Sequence, residues 1–193
     1  MENISYIKVI QASDLERIFF TGGHHFYHAK IIEYCNRPFS GVPEMNKTLI
    51  DNWNKRIDSS CIVYHLGDFG FTLRPILKEL IHELNGYKII VRGNHDRRGV
   101  ESLKSIGWDE AYKHFVELDV SYDDQEVTLL LTHRPVKVLI DTKPVVNICG
   151  HVHDNWLVRG FSINVDVDVH GFHPISLGEI TTMIPELKEG IMV

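Results

Sequence analysis

Side chains that can bind a metal follow five predicted β-strands of this chain, each after a glycine or a threonine. In chain order the segments are Gly22–His28, Gly67-Asp68, Gly93–Asp96, Thr132-His133 and Gly150–His153. Open α/β sheets bind ligands beyond the carboxyl ends of their strands, where several ends meet. Taken singly, Gly-Asp is an ordinary turn and Thr-His an ordinary strand end, but that explanation fails for the whole set.

Histidine is the anomaly of the composition, because the chain has twelve and many stand beside Gly, Asp or Asn. The sharpest motif is GNHD at 93–96, and GHVH at 150–153 is similarly specific. Two histidines at i and i+2 on an extended segment point the same way, so His151 and His153 could address two neighbouring ions. Imidazole, carboxylate and amide ligands without thiolate favour Mn, Fe, Zn or Co over a structural zinc site.

Short β-branched runs alternate with helical stretches in the first half of the chain, and strands dominate the second half. The predicted strands are Tyr6–Ile10, Arg17–Thr21, Cys61–Leu66, Lys88–Arg92, Phe115–Ser121, Val127–Thr132, Val145–Cys149, Ser162–Val169 and Glu179–Ile184. The predicted helices are Glu44–Ile57, Thr72–Leu84 and Val100–Ile106, and residues 122–125 form a hairpin turn. This pattern predicts an α/β fold in one domain, residues 1–193, with two sheets packed face to face and helices outside.

Composition limits the protein's class and partners. A chain of 193 residues that is 44% hydrophobic and 24% charged suits one compact globular domain. Three scattered cysteines, of which Cys61 and Cys149 adjoin apolar runs, indicate buried thiols and a reducing compartment. Without a signal-peptide pattern or an apolar run of about 20 residues, we expect a cytoplasmic protein with no membrane partner. The net charge of −6 gives no support for a nucleic-acid partner, so a nuclease is a minority hypothesis.

In their order along nearly the whole chain, these motifs resemble those of the calcineurin-like metallophosphoesterase superfamily. That family shows D-x-H, G-D, G-N-H-[DE], a lone His and G-H-x-H. Its small bacterial and phage members carry an FTSDTHFGH-type start, then RPF, a W-N helix, HLGDF, GNHD and GHVH. The matching segments here are Phe20–His28, Arg37–Phe39, Trp53-Asn54, His65–Phe69, Gly93–Asp96 and Gly150–His153.

The resemblance implies a double β-sandwich flanked by helices on both sides (α/β/β/α) and two divalent ions about 3.5–4 Å apart. Manganese is the expected metal, with Fe, Zn, Co or Ni as alternatives. The implied reaction is hydrolysis of a phosphomonoester or phosphodiester in a small phosphorylated substrate, by attack of a metal-bound hydroxide. The implied ligands are Asp68, bridging both ions, with Asn94, His133 and His151 in one site and His25 and His153 in the other.

Three further residues carry implied roles. His95 protonates the leaving group without binding metal, and Asp96 orients the imidazole of His95. Arg37 is a candidate phosphate contact, with an exposed loop arginine as the equal alternative.

The sequence departs from the family at Gly23, where the first motif has a metal-binding Asp. Water could occupy the gap and leave the first ion weakly held, His24 or His28 could swing in, or only the second ion could bind. We favour the interpretation that His24 and His28 line the pocket or face solvent. Gly22 and Gly23 could also offer backbone N–H groups to an anion. The alternative to an enzyme is a degenerate member that serves as a ligand-binding or protein-interaction scaffold.

Overall fold

The computed structural model describes residues 8–10, 14–97, 99–122, 125–137 and 144–189 of the chain. In this part the strands are β1 Lys8–Ile10, β2 Ile18–Thr21, β3 Ile62–His65, β4 Tyr87–Val91, β5 Glu110–Tyr112, β6 Phe115–Tyr122, β7 Gln125–Thr132, β8 Val145–Cys149, β9 Val158–Arg159, β10 Ser162–Asn164 and β11 Ile175–Ser176. The helices are α1 Ala29–Tyr34, α2 Val42–Arg56, α3 Arg74–Glu83, α4 Val100–Lys104 and α5 Leu177–Glu189. The α/β class expected from the alternating pattern is confirmed.

The strands form two sheets. In the five-stranded sheet, with order β11-β2-β3-β4-β5, strands β2 to β5 run parallel and β11 is antiparallel. In the six-stranded sheet, with order β1-β6-β7-β8-β10-β9, strands β7 and β8 are parallel neighbours. The exits of β2, β3 and β4 therefore lie side by side, as do those of β7 and β8. These five exits carry the five metal-capable segments.

An apolar core joins the two sheets. Phe20 and Tyr64 reach it from the five-stranded sheet, and Leu129 and Ile148 reach it from the six-stranded sheet. Every second residue of β6 is buried and the others are partly exposed, which is the pattern of a sheet packed on one face. The expected face-to-face arrangement follows from this shared core.

A second apolar cluster lies between the five-stranded sheet and helices α1 to α4. Trp53 of α2 and Ile81 of α3 are fully buried there against Val63 and Ile90 of the sheet. Helix α5 contributes instead to the core between the sheets. In the described residues, helices thus cover the outer face of one sheet, whereas the resemblance implies helices on both sides. None of these described helices is long and apolar enough to cross a membrane.

Two strand predictions near the C-terminus are wrong. Glu179–Ile184 lies in α5, where Ile180 and Ile184 bury one helical face, so packing overrides the β-propensity of the segment. Of Ser162–Val169 only the first three residues are a strand, and residues 167–169 form a 3₁₀ turn. Helix α1 and strands β5, β9 and β11 were not predicted from the sequence. The tip of the predicted hairpin, residues 123–124, lies outside the described residues, although Tyr122 and Gln125 do pair.

The start of α5 carries a reciprocal cap that a sequence scan can detect. The Ser176 N–H donates to Glu179 Oε2 at 2.6 Å, and the Glu179 N–H donates to Ser176 Oγ at 3.2 Å. This S-x-x-E capping box satisfies two N–H groups that a helix N-terminus leaves without partners. Glu179 also pairs with Arg56 at 2.6 Å, so the cap fixes α5 to α2.

We expect Ser176→Ala to lower the free energy of unfolding by about 1 kcal/mol, because one backbone N–H of α5 loses its acceptor. Urea denaturation monitored by circular dichroism measures this. The exposed Thr182→Ala on the same helix is the control and should change stability by less than about 0.5 kcal/mol. Equal losses in the two variants would contradict a specific capping role.

Candidate metal centre

Backbone hydrogen bonds continue the pairing of β2 and β3 beyond the ends of the strands. The Gly23 N–H donates to Gly67 O at 3.1 Å, and the His25 N–H donates to Asp68 O at 3.0 Å. The first and second motifs therefore leave the sheet together. A side chain at Gly93 would come within 2.4 Å of the Asp68 nitrogen, so only glycine lets the exit of β4 approach so closely.

Four of the six predicted metal ligands have a left-handed backbone. The φ angles are 52° at His25, 59° at Asp68, 73° at His151 and 49° at His153. Such values are uncommon for residues other than glycine, and they collect at functional sites where the surrounding structure enforces them. His151 and His153 therefore do not lie on an extended segment as predicted. Consecutive tight turns direct the two histidine side chains to different groups of side chains.

One group of side chains gathers around Asp68, His133 and His151, whose ligand atoms all lie within 4.8 Å of one another. His133 Nε2 is 3.5 Å from Asp68 Oδ2 and 2.8 Å from Asn94 Oδ1. Burial, followed by the nearby His133, lowers the pKa of His151 to about 4. His151 is therefore neutral at pH 7, which is the form that binds a metal. The structure brings together all four residues expected in this site.

The hydrogen bonds of His133 reveal an excess of acceptors in this group. His133 Nδ1 lies 2.8 Å from the carbonyl oxygen of Leu66, so Nδ1 carries a proton and donates it. In the neutral ring Nε2 then presents a lone pair towards Asn94 Oδ1 and Asp68 Oδ2, which are also acceptors. Three acceptors facing one another repel. A metal cation between them, or a second proton on His133, removes this repulsion.

A second group forms on the other side of Asp68. His25 Nε2 lies 3.6 Å from Asp68 Oδ2, and the His25 and His153 rings are 5.0 Å apart. Burial, followed by the charge of His153, holds the pKa of His25 far below its usual range. Both ring nitrogens of His25 are buried without a hydrogen-bond partner in the described residues. A neutral, unpartnered imidazole of this kind suits a metal ligand.

His153 is oriented by the carboxylate of Asp168, for which no role was predicted from the sequence. His153 Nδ1 lies 2.9 Å from Asp168 Oδ2, which orients the ring, and a ring nitrogen of His153 also lies within 4.8 Å of Cys35 Sγ. Burial lowers the pKa of His153, but the hydrogen bonds to Asp168 and Cys35 and the charges of Asp166 and Asp168 together outweigh it and raise the pKa to about 10. A metal bound to the His153 ring would therefore displace a proton.

His95 and Asp96 have separate surroundings. The His95 ring is partly exposed and lies 4.8 Å from the Phe71 ring and 5.5 Å from the His25 ring, at the mouth of the cluster. The Asp96 carboxylate accepts three backbone N–H groups, from Asp68 and Gly93 at 2.8 Å and from Phe69 at 3.1 Å. Asp96 therefore fixes the Asp68 turn to the exit of β4 and does not orient the His95 imidazole as expected.

Arg37 is buried, with 4% of its surface exposed, and differs from both expected alternatives. Its Nε and Nη2 donate to the two oxygens of Asp168 at 2.7 and 2.9 Å. Its Nη1 and Nη2 also donate to the carbonyl oxygens of His24 and Gly23 at 2.8 and 2.7 Å. Because every guanidinium nitrogen is engaged inside the protein, Arg37 holds the first motif in place and is neither a phosphate contact nor an exposed loop residue.

The two histidines considered as substitutes at Gly23 lie elsewhere. His24 is fully buried behind the sheet, 5.2 Å from the Phe26 ring, with Nδ1 3.0 Å from His65 Nε2. His28 stacks on Phe71 at 4.3 Å and lines the rim of the cluster, which agrees with the expectation that it lines the pocket. His24 neither lines the pocket nor faces solvent.

Sequence reasoning missed Asp166, which follows β10 and lies against the first motif. Its side chain is fully buried, and Oδ2 accepts the His153 N–H at 2.8 Å. Burial raises the pKa of Asp166 to about 6. The sequence did carry one signal, because Asp166 and Asp168 stand two residues apart near the end of a predicted strand. Alternating acids on a strand more often face solvent, so this signal did not indicate a site.

Comparison with known proteins places the chain among relatives of similar length. No family model matches the chain. It is 37% identical to the uncharacterized protein MJ1445 of Methanocaldococcus jannaschii, over 90% of this chain and 94% of that protein. The chain belongs to the same family as this archaeal protein. It is also similar to the crystal structure of the protein of unknown function AQ665 from Aquifex aeolicus, with a TM-score of 0.66 and 27% identity over 86% of this chain and 98% of that one.

We expect Asp96→Asn to lower the free energy of unfolding by about 1–3 kcal/mol, because its amide group would face backbone N–H donors inside the protein. Urea denaturation of the metal-free protein measures this. The matched control is Asp51→Asn in the exposed i,i+4 pair with Lys47, which should cost less than about 0.5 kcal/mol. Unchanged stability of Asp96→Asn would contradict its role in fixing the two turns.

Proposed function

We propose that this protein is a metal-dependent phosphoesterase that hydrolyses a phosphomonoester or phosphodiester in a small substrate. One observation carries the proposal: Asp68 Oδ2 lies 3.6 Å from His25 Nε2 on one side and 3.5 Å from His133 Nε2 on the other. A single carboxylate oxygen thus faces imidazole nitrogens on two sides, as a bridge between two cations requires. The proposed ligands are His25, Asp68, Asn94, His133, His151 and His153, and manganese is the proposed metal.

The finer fold assignment belongs to the same proposal. We infer a calcineurin-like double β-sandwich, supported by two sheets that share one core and by functional segments at the ends of β2, β3, β4, β7 and β8. The archaeal relative and the Aquifex aeolicus structure contribute no activity to this proposal, since both are proteins of unknown function.

The chain's own residues divide the chemical work. When bound, two divalent ions would neutralise phosphoryl oxygens and make water a nucleophile at neutral pH. Asp68 holds its place through Oδ1, which accepts the His95 N–H at 2.8 Å. The same bond positions the backbone of His95 beside the bridging carboxylate. The partly exposed His95 imidazole can then give a proton to the leaving-group oxygen.

A scaffold without catalysis is the second candidate, and Gly23 favours it. Against it, the described residues retain buried ring nitrogens on His25 without partners and a left-handed backbone at Asp68. The unpartnered nitrogens are costly in the absence of a cation, and the left-handed backbone is a strain of the kind that collects at functional sites. Drift after loss of metal binding would relieve them, so their presence supports a retained metal centre.

We expect the manganese-loaded protein to hydrolyse bis(p-nitrophenyl) phosphate or p-nitrophenyl phosphate, and His95→Ala to reduce kcat by about 10²–10⁴-fold. The metal content of His95→Ala, measured by elemental analysis, should match that of the unsubstituted protein, because His95 is not a proposed ligand. Release of p-nitrophenolate reports the rate.

The matched control is His114→Ala, since His114 is exposed and lies outside the cluster. Equal turnover by the unsubstituted protein and His95→Ala would contradict the proposed role of His95 as general acid. Metal binding with no turnover of either ester would favour the scaffold.

A further inference from the structure

The space beside Gly23, where the first motif lacks a carboxylate, already contains one. A Cβ atom added to Gly23 would lie 2.6 Å from Asp166 Oδ1 and 2.9 Å from Asp166 Cγ. In an aspartate, a carboxylate oxygen lies about 2.4 Å from its own Cβ, given bonds of about 1.5 and 1.2 Å. Asp166 Oδ1 therefore stands at nearly the same distance from the β-position of residue 23 as an oxygen of an aspartate there.

Three glycines make room for this oxygen. A Cβ at Gly22 or at Gly150 would also fall within 2.9 or 2.7 Å of Asp166 Oδ1. These glycines lie at the exits of β2 and β8, the two strands that lead to His25 and His153. The close approach of Asp166 Oδ1 thus explains glycine at all three positions. It also places the Asp166 carboxylate between the segments that carry His25 and His153, two ligands of the first proposed metal site.

The backbone around Asp166 is fixed by several bonds, yet one oxygen remains without a partner. The Val167 N–H donates to Gly22 O at 3.1 Å, and the Asp166 N–H donates to Asn164 Oδ1 at 2.9 Å. Oδ2 accepts the His153 N–H, whereas Oδ1 is buried without a partner in the described residues. A fully buried carboxylate oxygen with nothing to accept is costly, and a cation removes that cost.

We propose that Asp166 Oδ1 is a ligand of the first metal ion, together with His25, Asp68 and His153, and that it replaces the aspartate absent at position 23. This inference rests on the proposed dinuclear phosphoesterase. It returns the second carboxylate to a site in which Asp68 would otherwise be the only anionic ligand. Asp166 reaches the site from the strand that pairs with β8, about 140 residues later in the chain than the position it replaces.

The other ways to fill the gap fit less well. His24 lies on the far side of the sheet, where its Nδ1 is 3.0 Å from His65 Nε2. The Gly23 N–H donates to Gly67 O, so it is not free to bind an anion.

The test moves the carboxylate from one position to the other. We compare the unsubstituted protein with Asp166→Asn and with the double variant Gly23→Asp/Asp166→Gly, each loaded with Mn²⁺ and desalted. Elemental analysis gives ions per chain, and low-temperature electron paramagnetic resonance distinguishes a coupled Mn²⁺ pair from an isolated ion. Asp51→Asn, on the exposed face of α2, is the control for loss of a carboxylate.

We expect two ions and a coupled signal in the unsubstituted protein, and one ion with an isolated signal in Asp166→Asn. The double variant should recover two ions, because Asp tolerates the φ of 61° at position 23 better than most residues and the space of the Asp166 side chain is vacated.

Each other outcome is decisive. Two coupled ions in Asp166→Asn would overturn the role of Asp166 and leave the phosphoesterase proposal intact. No ion in the unsubstituted protein would instead overturn the proposed function. If Asp166→Asn does not fold, the double variant still decides, because two coupled ions there support the relocation and one ion or none overturns it.

Discussion

The candidate site depends on the position of one carboxylate, that of Asp68. Its N–H is held by Asp96, its C=O by the His25 N–H, and its Oδ1 by the His95 N–H. These bonds tie three successive strand exits of one sheet to a single residue. The remaining oxygen, Oδ2, is thereby directed to the place where histidines from the other sheet arrive. The face-to-face packing of the sheets then determines which side chains can meet it.

This convergence leaves several buried polar atoms without hydrogen-bond partners among the described residues. His133 Nε2 faces Asp68 Oδ2 at 3.5 Å, His25 is buried with unpartnered nitrogens, and Asp166 has a buried oxygen with no donor in the described residues. Protonation would help one group at a time, but burial and nearby histidines oppose it at His25 and His151. Cations satisfy all of these groups together. Left-handed turns at four of the ligands, His25, Asp68, His151 and His153, lead the chain into the two groups around Asp68.

The sequence predicted the parts of this arrangement that are local. Strand β8 was predicted with its observed bounds, and the helix predicted at Glu44–Ile57 matches α2 within two residues at its start. All six predicted ligands lie in the two groups around Asp68. The errors concern long-range partners, since the helix α5, the buried position of Arg37 and the position of Asp166 depend on residues that are distant in sequence. The empty position at Gly23 was visible in the sequence, but the side chain beside it was not.

The pair Asp166 and Asp168 shows why residue type and spacing could not assign these roles. The two acids stand two residues apart and are both largely buried, yet their partners differ. Asp168 receives two donors from Arg37 and one from His153, and these neighbours hold its pKa below the usual range despite burial. Its charge is therefore compensated by the protein, which suits a residue that orients a ligand. Among the described residues Asp166 receives one backbone N–H, from His153, at Oδ2 and has glycines around Oδ1, so its charge is not compensated by a cationic side chain bonded to it. The RPF arginine thus distinguishes the two carboxylates by neutralising one of them.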